Sequence, residues 1–210
     1  NEQQTINTLN AANKELVIAL GGDNSITYAA ALGVYGQRLS TAGLITLDAH
    51  HDLRDGNSNG SPVRRLIEAG LNPKQIVQIG INDFSNSSDY EQLAHSLGIT
   101  VITRTEVARI GIASACKKAL EIAGASLGPI HVDLDVDVCD QSVVPACPAA
   151  APGGISAFEL RQAARLLTAN SLVRGLDITE IDASRDAEDQ RTIRLGALLV
   201  LEAVAGYLNR

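Results

Sequence analysis

Acidic and imidazole side chains are concentrated in two short segments, and their types suit the binding of divalent metal ions. The first segment is residues 48–52 (DAHHD), and the second is residues 133–137 (DLDVD), followed by Asp140. Carboxylates packed this closely raise one another's pKa values unless a cation compensates them. Oxygen ligands combined with an imidazole favour Mn²⁺, Mg²⁺ or Fe²⁺ over metals that prefer sulfur. The two segments therefore predict a metal-dependent enzyme with two ions.

The spacing within these segments indicates which side chains reach the ions. In an extended segment, residues two apart point to the same side, so Asp48, His50 and Asp52 can share one ion or a pair. Asp135 and Asp137 do the same from the second segment. Carboxylates that bridge two ions about 3.5 Å apart activate water for hydrolysis. Helix capping or a solvated turn explains a single aspartate well, but it explains five acids and a histidine poorly.

The remaining histidines and one glutamate carry weaker signals. His51 has the wrong parity to share the side of His50, so we expect it near the ligands or the substrate pocket. His131 lies in an apolar run and is expected to be a hydrogen-bonded core residue, whereas His95 is expected to be solvated. Glu180 follows an apolar run and is a candidate for binding a cationic substrate group, with helix capping as the alternative.

Apolar runs alternate with helical patterns along the whole chain. Predicted strands cover residues 16–20, 44–47, 75–81, 99–102, 130–135 and 172–178. Predicted helices cover residues 25–33, 62–69, 90–97, 112–123, 156–168 and 191–208, the fifth with a Ser156–Glu159 capping box. Strands that are continuously apolar and alternate with helices are typical of a parallel sheet covered on both faces. The predicted fold class is therefore α/β.

The polar clusters fall at equivalent places in this predicted sheet. Residues 21–24 follow the first strand, residues 48–52 the second, Asp135 and Asp137 end the fifth, and Glu180 follows the sixth. Ligands of parallel α/β sheets bind outside the carboxyl ends of the strands. Four distant segments are thus expected to meet at one edge of the sheet.

The composition excludes several classes of protein. Of 210 residues, 45% are hydrophobic and only 3% aromatic, so the core is expected to be aliphatic. A net charge of −7 argues against nucleic acid or an anionic membrane as the main partner. No apolar run reaches the roughly 18 residues of a transmembrane helix, and no signal peptide opens the sequence. Three cysteines without zinc spacing favour buried thiols and a cytoplasmic location.

Several of these segments together resemble the ureohydrolase superfamily, which includes arginase, agmatinase, guanidinobutyrase and formimidoylglutamase. The resemblance begins at residues 21–25 (GGDNS), continues through residues 48–52 (DAHHD) and includes residues 135–140 (DVDVCD), with Pro145 and residues 152–154 (PGG) fixing the register. It covers about nine-tenths of the chain. The resemblance implies a three-layer α/β/α domain with a mainly parallel sheet over residues 1–210, which is often assembled into trimers or hexamers.

The resemblance also implies a function and a set of site residues. Its members hydrolyse a C–N bond of a guanidino or formimino group with a pair of Mn²⁺ ions. The implied metal ligands are Asn24, Asp48, His50, Asp52, Asp135 and Asp137. The implied catalytic residues are Asp52, Glu180 and Asn59, and the implied substrate-binding residues are Arg54, Asn59 and Glu180. Asp133 occupies a position where relatives often carry serine, so it is not a first choice as a ligand.

Two residues suggest which substrate this chain accepts. Arg54 lies two residues beyond Asp52, and its guanidinium can bind a carboxylate with two hydrogen bonds. Asn59 stands where relatives that act on guanidines often carry a proton-shuttling histidine. Both residues favour N-formimino-L-glutamate, cleaved to L-glutamate and formamide, as in histidine breakdown. An agmatinase or other guanidino-acid hydrolase that releases urea is the first alternative, and a metal-poor binding protein is the second.

Two departures from the family pattern affect these expectations. The family carries histidine where this chain has Asn24, and an amide oxygen is a weaker ligand than imidazole for a first-row transition ion. One of the two metal sites is therefore expected to be the weaker. The family also carries a strand ahead of the first one predicted here, where this chain has the polar residues 1–14, so a strand of the family is expected to be missing.

Overall fold

A computed structural model describes residues 2–210, which contain six strands in a single parallel sheet. The strands lie in the order β1-β6-β5-β2-β3-β4, and every neighbouring pair is parallel. Their bounds are β1 Val17–Leu20, β2 Gly43–Leu47, β3 Ile76–Ile81, β4 Thr100–Thr103, β5 Ile130–Asp135 and β6 Val173–Thr179. The mainly parallel sheet expected from the sequence is thus confirmed.

Helices cover both faces of the sheet and complete three α/β/α layers. Their bounds are α1 Glu2–Ala12, α2 Ile26–Tyr35, α3 Pro62–Ala69, α4 Ser88–Leu97, α5 Arg104–Ile110, α6 Ile112–Ala123, α7 Ala157–Thr168 and α8 Arg191–Tyr207. Helices α2, α3 and α4 contribute to the apolar cluster on one face, and α5 to α8 contribute to the cluster on the other. Among residues 2–210, no helix combines the length and apolar content needed to cross a bilayer.

The two sheet faces differ in polarity because side chains alternate along each strand. Ile45 and Leu47 of β2, with Val132 and Leu134 of β5, join the apolar cluster beneath α5 to α8. Apart from Leu44, the alternate positions of the same strands carry polar side chains, and these lie on the α2 side. They are Thr46, His131, Asp133 and Asp135, all of which are buried. The predicted metal ligands of β5 therefore extend a polar stripe that begins inside the sheet.

Most helices and strands begin and end within two residues of the bounds predicted from the sequence, because local signals mark their ends. Pro62 occupies the first turn of α3, and α7 begins with the Ser156–Glu159 capping box. The three cysteines are buried, as expected. Arg64 and Arg65, which open α3, form ion pairs at its surface with Asp55, Glu68 and Glu2.

Two helices were not predicted from the sequence. Helix α1 forms within the polar amino-terminal segment and packs against α2, where Gly33 leaves room for it: a Cβ at Gly33 would lie 2.8 Å from Leu9 Cβ. Helix α5 is seven residues long and buries only Arg104 and Val107. Both helices depend on contacts with distant segments, and their own apolar content is too low to reveal them.

Candidate metal centre and adjoining cleft

Sheet topology brings the predicted site segments to one edge. Strand β2 lies between β3 and β5, and β6 joins β5 to β1, so the carboxyl ends of β1, β6, β5 and β2 are consecutive neighbours. The segment after β1 is fastened to the end of β6, because Gly21 N donates to Ile178 O and Glu180 N donates to Gly22 O. The convergence expected from the sequence is confirmed.

A carboxylate–imidazole cluster of Asp48, His50 and Asp137 lies at the centre of this edge. One ligand atom from each residue falls within 4.8 Å of the others. His50 Nδ1 lies 2.7 Å from Asp137 Oδ2 and 3.5 Å from Asp48 Oδ1. The Asp137 carboxylate also accepts a hydrogen bond from Ala49 N at 2.9 Å, which couples the segments after β2 and β5. Asp48 Oδ2 is buried and has no hydrogen-bond partner among residues 2–210.

Asp135 and Asp52 flank this cluster. Asp135 Oδ1 accepts a hydrogen bond from Asp137 N at 2.8 Å, which fixes the short 3₁₀ turn over Val136–Val138. Asp52 Oδ2 accepts a hydrogen bond from Asn24 Nδ2 at 2.5 Å. Asp135 and Asp52 are 3% and 7% exposed, so both carboxylates are largely removed from water.

Three of the four acids of this site have raised pKa values. Burial and the neighbouring Asp137 raise the pKa of Asp48 to about 7, and burial followed by other acids raises the pKa values of Asp52 and Asp135 well above the usual range. Hydrogen bonds to Asp137 and Asp48 raise the pKa of His50 to about 10. Burial acts to raise the pKa of Asp137, but the hydrogen bond and the charge of His50, together with the hydrogen bond from Ala49 N, outweigh it and lower that pKa.

This donor set fits a divalent ion. Four carboxylates and an imidazole supply oxygen and nitrogen donors of the kind that Mn²⁺ prefers, and the unpartnered Asp48 Oδ2 is free to coordinate. A bound cation would also supply the charge that keeps these carboxylates ionised. The coordinating roles of Asp48, His50, Asp52, Asp135 and Asp137 stay predictions that this geometry favours.

Asn24 lies beside the cluster, but its amide oxygen faces other groups. Asn24 Oδ1 accepts hydrogen bonds from Thr27 Oγ1 at 2.8 Å and Thr179 Oγ1 at 3.0 Å, while its nitrogen donates to Asp52. In this arrangement Asn24 orients Asp52 and offers no free oxygen to an ion. Ligation by Asn24, as the family resemblance implies, stays a prediction and requires its oxygen to leave both hydroxyl groups.

A cleft of about 190 Å³ opens directly above the acids. It is lined by His50, Asp52, Arg54, Asn59, Gly60, Asp135, Asp137 and Ala149. Arg54 N donates to Gly60 O, and a Cβ at residue 60 would lie only 2.8 Å from Arg54 Cδ, so the glycine leaves room for the arginine. Within residues 2–210, the Arg54 guanidinium has no hydrogen bond or ion pair. It is therefore free to bind an anionic group in the cleft.

Glu180 and Asn59 are brought together although they are 121 residues apart. Glu180 Oε1 accepts hydrogen bonds from Asn59 Nδ2 at 3.3 Å and from Asn24 N at 2.9 Å. The helix-cap alternative for Glu180 gains some support from its bond to Asn24 N, which lies just before α2. Its second contact, to a residue that lines the cleft, favours the substrate-binding role.

Two residues of the site adopt a left-handed backbone conformation that residues other than glycine rarely adopt. Asp52 has φ 54° and Glu180 has φ 64°. Such conformations cost roughly 1 kcal/mol or more and persist where the surrounding contacts impose them. Each residue places its carboxylate in a hydrogen bond with Asn24, so the unfavourable backbone serves the orientation of both acids.

Other predicted residues lie around the site. His51 is buried, with Nδ1 2.7 Å from Gln78 Oε1, so it supports the segment from the side. His131 is a buried core residue with Nε2 2.9 Å from Asp177 Oδ2, as expected, although its Nδ1 has no partner within residues 2–210. His95 is exposed, as expected. Asp133 does not belong to the Asp48–His50–Asp137 cluster.

Sequence reasoning missed one buried charge beneath the site. Arg104, the first residue of α5, donates from Nε to Gly80 O at 3.2 Å and from Nη2 to Asp137 O at 2.9 Å. Nothing local in the sequence marks it, because its partners lie 24 and 33 residues away. The placement of β3 and β5 on either side of β2 is needed to find this contact.

The family model of the arginase family matches residues 2–206. This chain belongs to the arginase family. Among curated members, formimidoylglutamase of Halalkalibacterium halodurans is 39% identical over 90% of this chain, and that of Bacillus subtilis is 35% identical over 97%. Guanidinopropionase of Pseudomonas aeruginosa is 34% identical over 89% of the chain. The Bacillus subtilis formimidoylglutamase crystal structure superposes with a TM-score of 0.90 at 32% identity, covering 98% of this chain and 66% of that one.

This arginase-family chain is shorter than those relatives. It spans 60% and 65% of the two formimidoylglutamases and 59% of the guanidinopropionase. A Trypanosoma cruzi formiminoglutamase with Mn²⁺ shares the fold, with a TM-score of 0.90 at 21% identity over 100% of this chain and 71% of that one. The arginase-like architecture expected from the sequence is confirmed.

Proposed function

We propose that this protein is a manganese-dependent hydrolase of N-formimino-L-glutamate that releases L-glutamate and formamide. The observation that carries the proposal is the cleft in which Asp52, Asp135, Asp137 and His50 lie beside the guanidinium of Arg54, with Asp48 in contact with His50. Water adds its oxygen to the formimino carbon, the C–N bond to glutamate breaks, and the glutamate nitrogen takes up a proton. The similarity to two formimidoylglutamases supports this choice.

The residues of the cleft divide the work between binding and chemistry. Asp48, His50, Asp52, Asp135 and Asp137 would hold two Mn²⁺ ions, which when bound supply Lewis acidity and lower the pKa of water. The buried carboxylates keep that water oriented and accept its proton. The Asp137 carboxylate accepts a hydrogen bond from Ala49 N, and the Asp135 carboxylate accepts one from Asp137 N. Because these bonds fix both carboxylates, little reorganisation is needed during the reaction.

Substrate orientation follows from two opposite charges: Arg54 lines the cleft, and Glu180 contacts Asn59, which also lines it. Glu180 offers a carboxylate to the cationic formimino group, and Asn59 holds that carboxylate through its amide. Arg54 offers a two-pronged donor to a substrate carboxylate. An amidine at one end and carboxylates at the other match N-formimino-L-glutamate, whereas agmatine would bring a second cation toward Arg54.

The first test compares products from several substrates. The protein is loaded with Mn²⁺ and incubated with N-formimino-L-glutamate, agmatine or 3-guanidinopropionate, and then formamide, glutamate and urea are measured. We expect formamide and glutamate in equal amounts from the first substrate. Urea from either guanidino substrate, with no formamide, would replace the proposal with the guanidino-hydrolase alternative, which the relation to guanidinopropionase supports.

The second test concerns Arg54. The variant Arg54→Ala removes a charge-assisted contact of about 1.5–3 kcal/mol, so KM should rise about 10- to 100-fold with a smaller change in kcat. Arg109→Ala is the matched control, because Arg109 is 75% exposed on α5 and does not line the cleft. An unchanged KM in Arg54→Ala would remove the reason for choosing an acidic substrate.

A non-catalytic, metal-poor homologue is the second alternative, and the geometry of Asn24 favours it. Its amide oxygen is engaged by two hydroxyl groups, so one ligand expected in the family does not face the ions. Elemental analysis after loading with Mn²⁺ and gel filtration separates the two cases. We expect between one and two ions per chain, whereas less than half an ion per chain would support the binding protein.

We also propose a homo-oligomeric assembly, a trimer or hexamer, and a cytoplasmic location. Exposed apolar side chains at the carboxyl-terminal end of α8 support association, since Leu201 and Val204 of the helix and Leu208 just beyond it are 63%, 41% and 74% exposed. Light scattering coupled to gel filtration measures the assembly, and a monomer at micromolar concentration would contradict it. A small-molecule substrate, with neither nucleic acid nor membrane as partner, agrees with the net charge of −7.

A further inference from the structure

Arg104 is a buried cation without a carboxylate partner, and it lies directly beneath the candidate metal centre. The residue is 9% exposed, and no ion pair of its guanidinium occurs within residues 2–210. Both of its hydrogen bonds go to backbone carbonyls, Gly80 O and Asp137 O. Burying an arginine without a carboxylate partner costs folding free energy, because its charge is removed from water.

The two carbonyls belong to segments on either side of β2. Gly80 lies in β3 where the pairing with β4 shifts register, between Ile79 and Ile81, and its φ is 94°. Asp137 lies in the 3₁₀ turn that follows β5. A Cβ at Gly80 would lie 2.3 Å from Val138 Cγ2, so the glycine allows this turn to pack directly on β3. Arg104 fastens the two segments together at that contact.

The turn held by Arg104 carries a predicted metal ligand. Asp137 points its carboxylate at His50 Nδ1 and Ala49 N while its carbonyl oxygen accepts from Arg104 Nη2. Fixing the carbonyl fixes the backbone torsions from which the carboxylate projects. Groups that orient a metal ligand without touching the ion commonly change metal affinity 10- to 100-fold when they are removed.

We propose that Arg104 is a positioning residue for the metal centre: its planar fork holds the Asp137 main chain so that the carboxylate keeps the orientation needed to bind a divalent ion. This inference rests on the proposed metal-dependent function. Lysine cannot replace the arginine, because a compact ammonium does not span two carbonyls in one plane. The charge of Arg104 is therefore secondary to its geometry.

The experiment uses the full chain and the variant Arg104→Lys, which keeps the charge and removes the fork. Mn²⁺ binding is measured by calorimetry and by electron paramagnetic resonance of free and bound ions. We expect one of the two binding steps to weaken about 10- to 100-fold, with activity recovering at excess Mn²⁺ and KM unchanged. Arg109→Lys on the same helix is the matched control and should bind both ions as the wild type does. Mn²⁺ affinities within twofold of wild type in Arg104→Lys would overturn the inference.

A second readout needs no metal and separates the two proposals. Hydrogen exchange of the Ala49 amide reports the bond to the Asp137 carboxylate, and we expect Arg104→Lys to speed it at least tenfold in metal-free protein. Should the wild type bind no Mn²⁺, the proposed function fails, and this exchange rate alone decides the role of Arg104. If Arg104→Lys does not fold, Arg104→Gln, which can still reach one carbonyl, takes its place. Unchanged exchange in a folded variant contradicts the positioning role.

Discussion

Two rows of polar side chains cross the same three strands of the sheet, one above the other, and they differ in the groups that can reach them. The upper row is Asp48, Asp135 and Thr179, at the carboxyl ends of β2, β5 and β6. The lower row is Thr46, Asp133 and Asp177, which are direct neighbours in the register of the same strands. All six side chains face the α2 side of the sheet, and all are at most 3% exposed.

The rows differ in what can reach them. Asp135 of the upper row lines the cleft, and Asp48 lies 3.5 Å from His50, which lines it as well. Thr179 contacts Asn24, which belongs to the segment that follows β1. The lower row lies inside the sheet, where Thr46 Oγ1 has no hydrogen-bond partner among residues 2–210. Asp133 and Asp177 are neighbours there, and the protonated form of Asp133 donates to the Asp177 carboxylate. Burial followed by the charge of Asp177 raises the pKa of Asp133 well above its usual range. The acids of the upper row can be neutralised by a metal ion, whereas those of the lower row can be neutralised only by a proton. The depth of a buried acid in the sheet therefore decides how its charge is neutralised.

The largest expected difference between the rows is in activity. Asp135→Asn removes a metal-site carboxylate and should lower kcat/KM at least about 10³-fold, because several kcal/mol of transition-state stabilisation depend on the ions. Asp133→Asn replaces an acid whose pKa is raised well above its usual range with an amide of the same shape, and it should stay within about tenfold of wild type. Steady-state assays of both variants test this, and equal losses would show that the lower row takes part in catalysis.

Metal binding should stabilise the fold through the upper row alone. A ligand at 100 times its Kd adds about 2.7 kcal/mol, which corresponds to a rise in Tm of about 5–10 °C for a chain of this length. We expect that rise when Mn²⁺ replaces chelator in the wild type and in Asp133→Asn, with little or none in Asp135→Asn. Thermal melts with matched chelator controls measure it, and a reversed order of the two variants would contradict the distinction.

The lower row should make the metal-free protein less stable as the pH rises. Folded Asp133 keeps its proton above pH 3.8, where the unfolded chain releases it, so the folded state binds more protons. The free energy of unfolding therefore falls with rising pH, by at most about 1.4 kcal/mol per pH unit, until the raised pKa is passed.

Replacing the acid should reveal this dependence directly. Denaturant unfolding of Asp133→Asn in chelator should show a shallower loss of stability between pH 5 and pH 8 than the wild type shows, since the other buried acids are common to both proteins. Parallel stability profiles for the two proteins would mean that Asp133 titrates normally and that its surroundings are more polar than the contacts indicate.

The smallest expected difference between the rows is in stability, and it concerns two threonines, one from each row. Thr46 Oγ1 has no partner, so Thr46→Val should leave stability unchanged or raise it by up to about 1 kcal/mol. Thr179 Oγ1 donates to Asn24 Oδ1, so Thr179→Val should cost about 1 kcal/mol and loosen the contact between Asn24 and Asp52. Urea titrations resolve the difference, and similar values for both variants would show that the bond to Asn24 adds nothing.

Much of the candidate site at the carboxyl ends of the strands could be predicted from the sequence, because its signals are local. Continuous apolar runs mark the strands, and a parallel sheet must gather the segments that follow them at one edge. Asp48, His50, Asp135 and Asp137 follow such runs at a spacing of two, so their convergence needed no knowledge of register. Arg54 could be singled out for the same reason.

The lower row was not predictable, because it exists only through strand pairing. Asp133 and Asp177 each lie in an otherwise apolar run, and only the β5–β6 register makes them neighbours. The orientation of Asn24 depends likewise on Thr179, which is 155 residues away. Helix α1 was missed because its partner surface, which includes Gly33, is formed by a different helix.

The left-handed backbone of Asp52 and Glu180 has a consequence for protein engineering. Asparagine and glycine adopt this conformation more readily than aspartate or glutamate does. A screen that selects thermal tolerance without an activity check should therefore enrich asparagine or glycine at positions 52 and 180. Libraries built to improve this scaffold should keep both codons fixed, so that heat resistance is gained elsewhere in the chain.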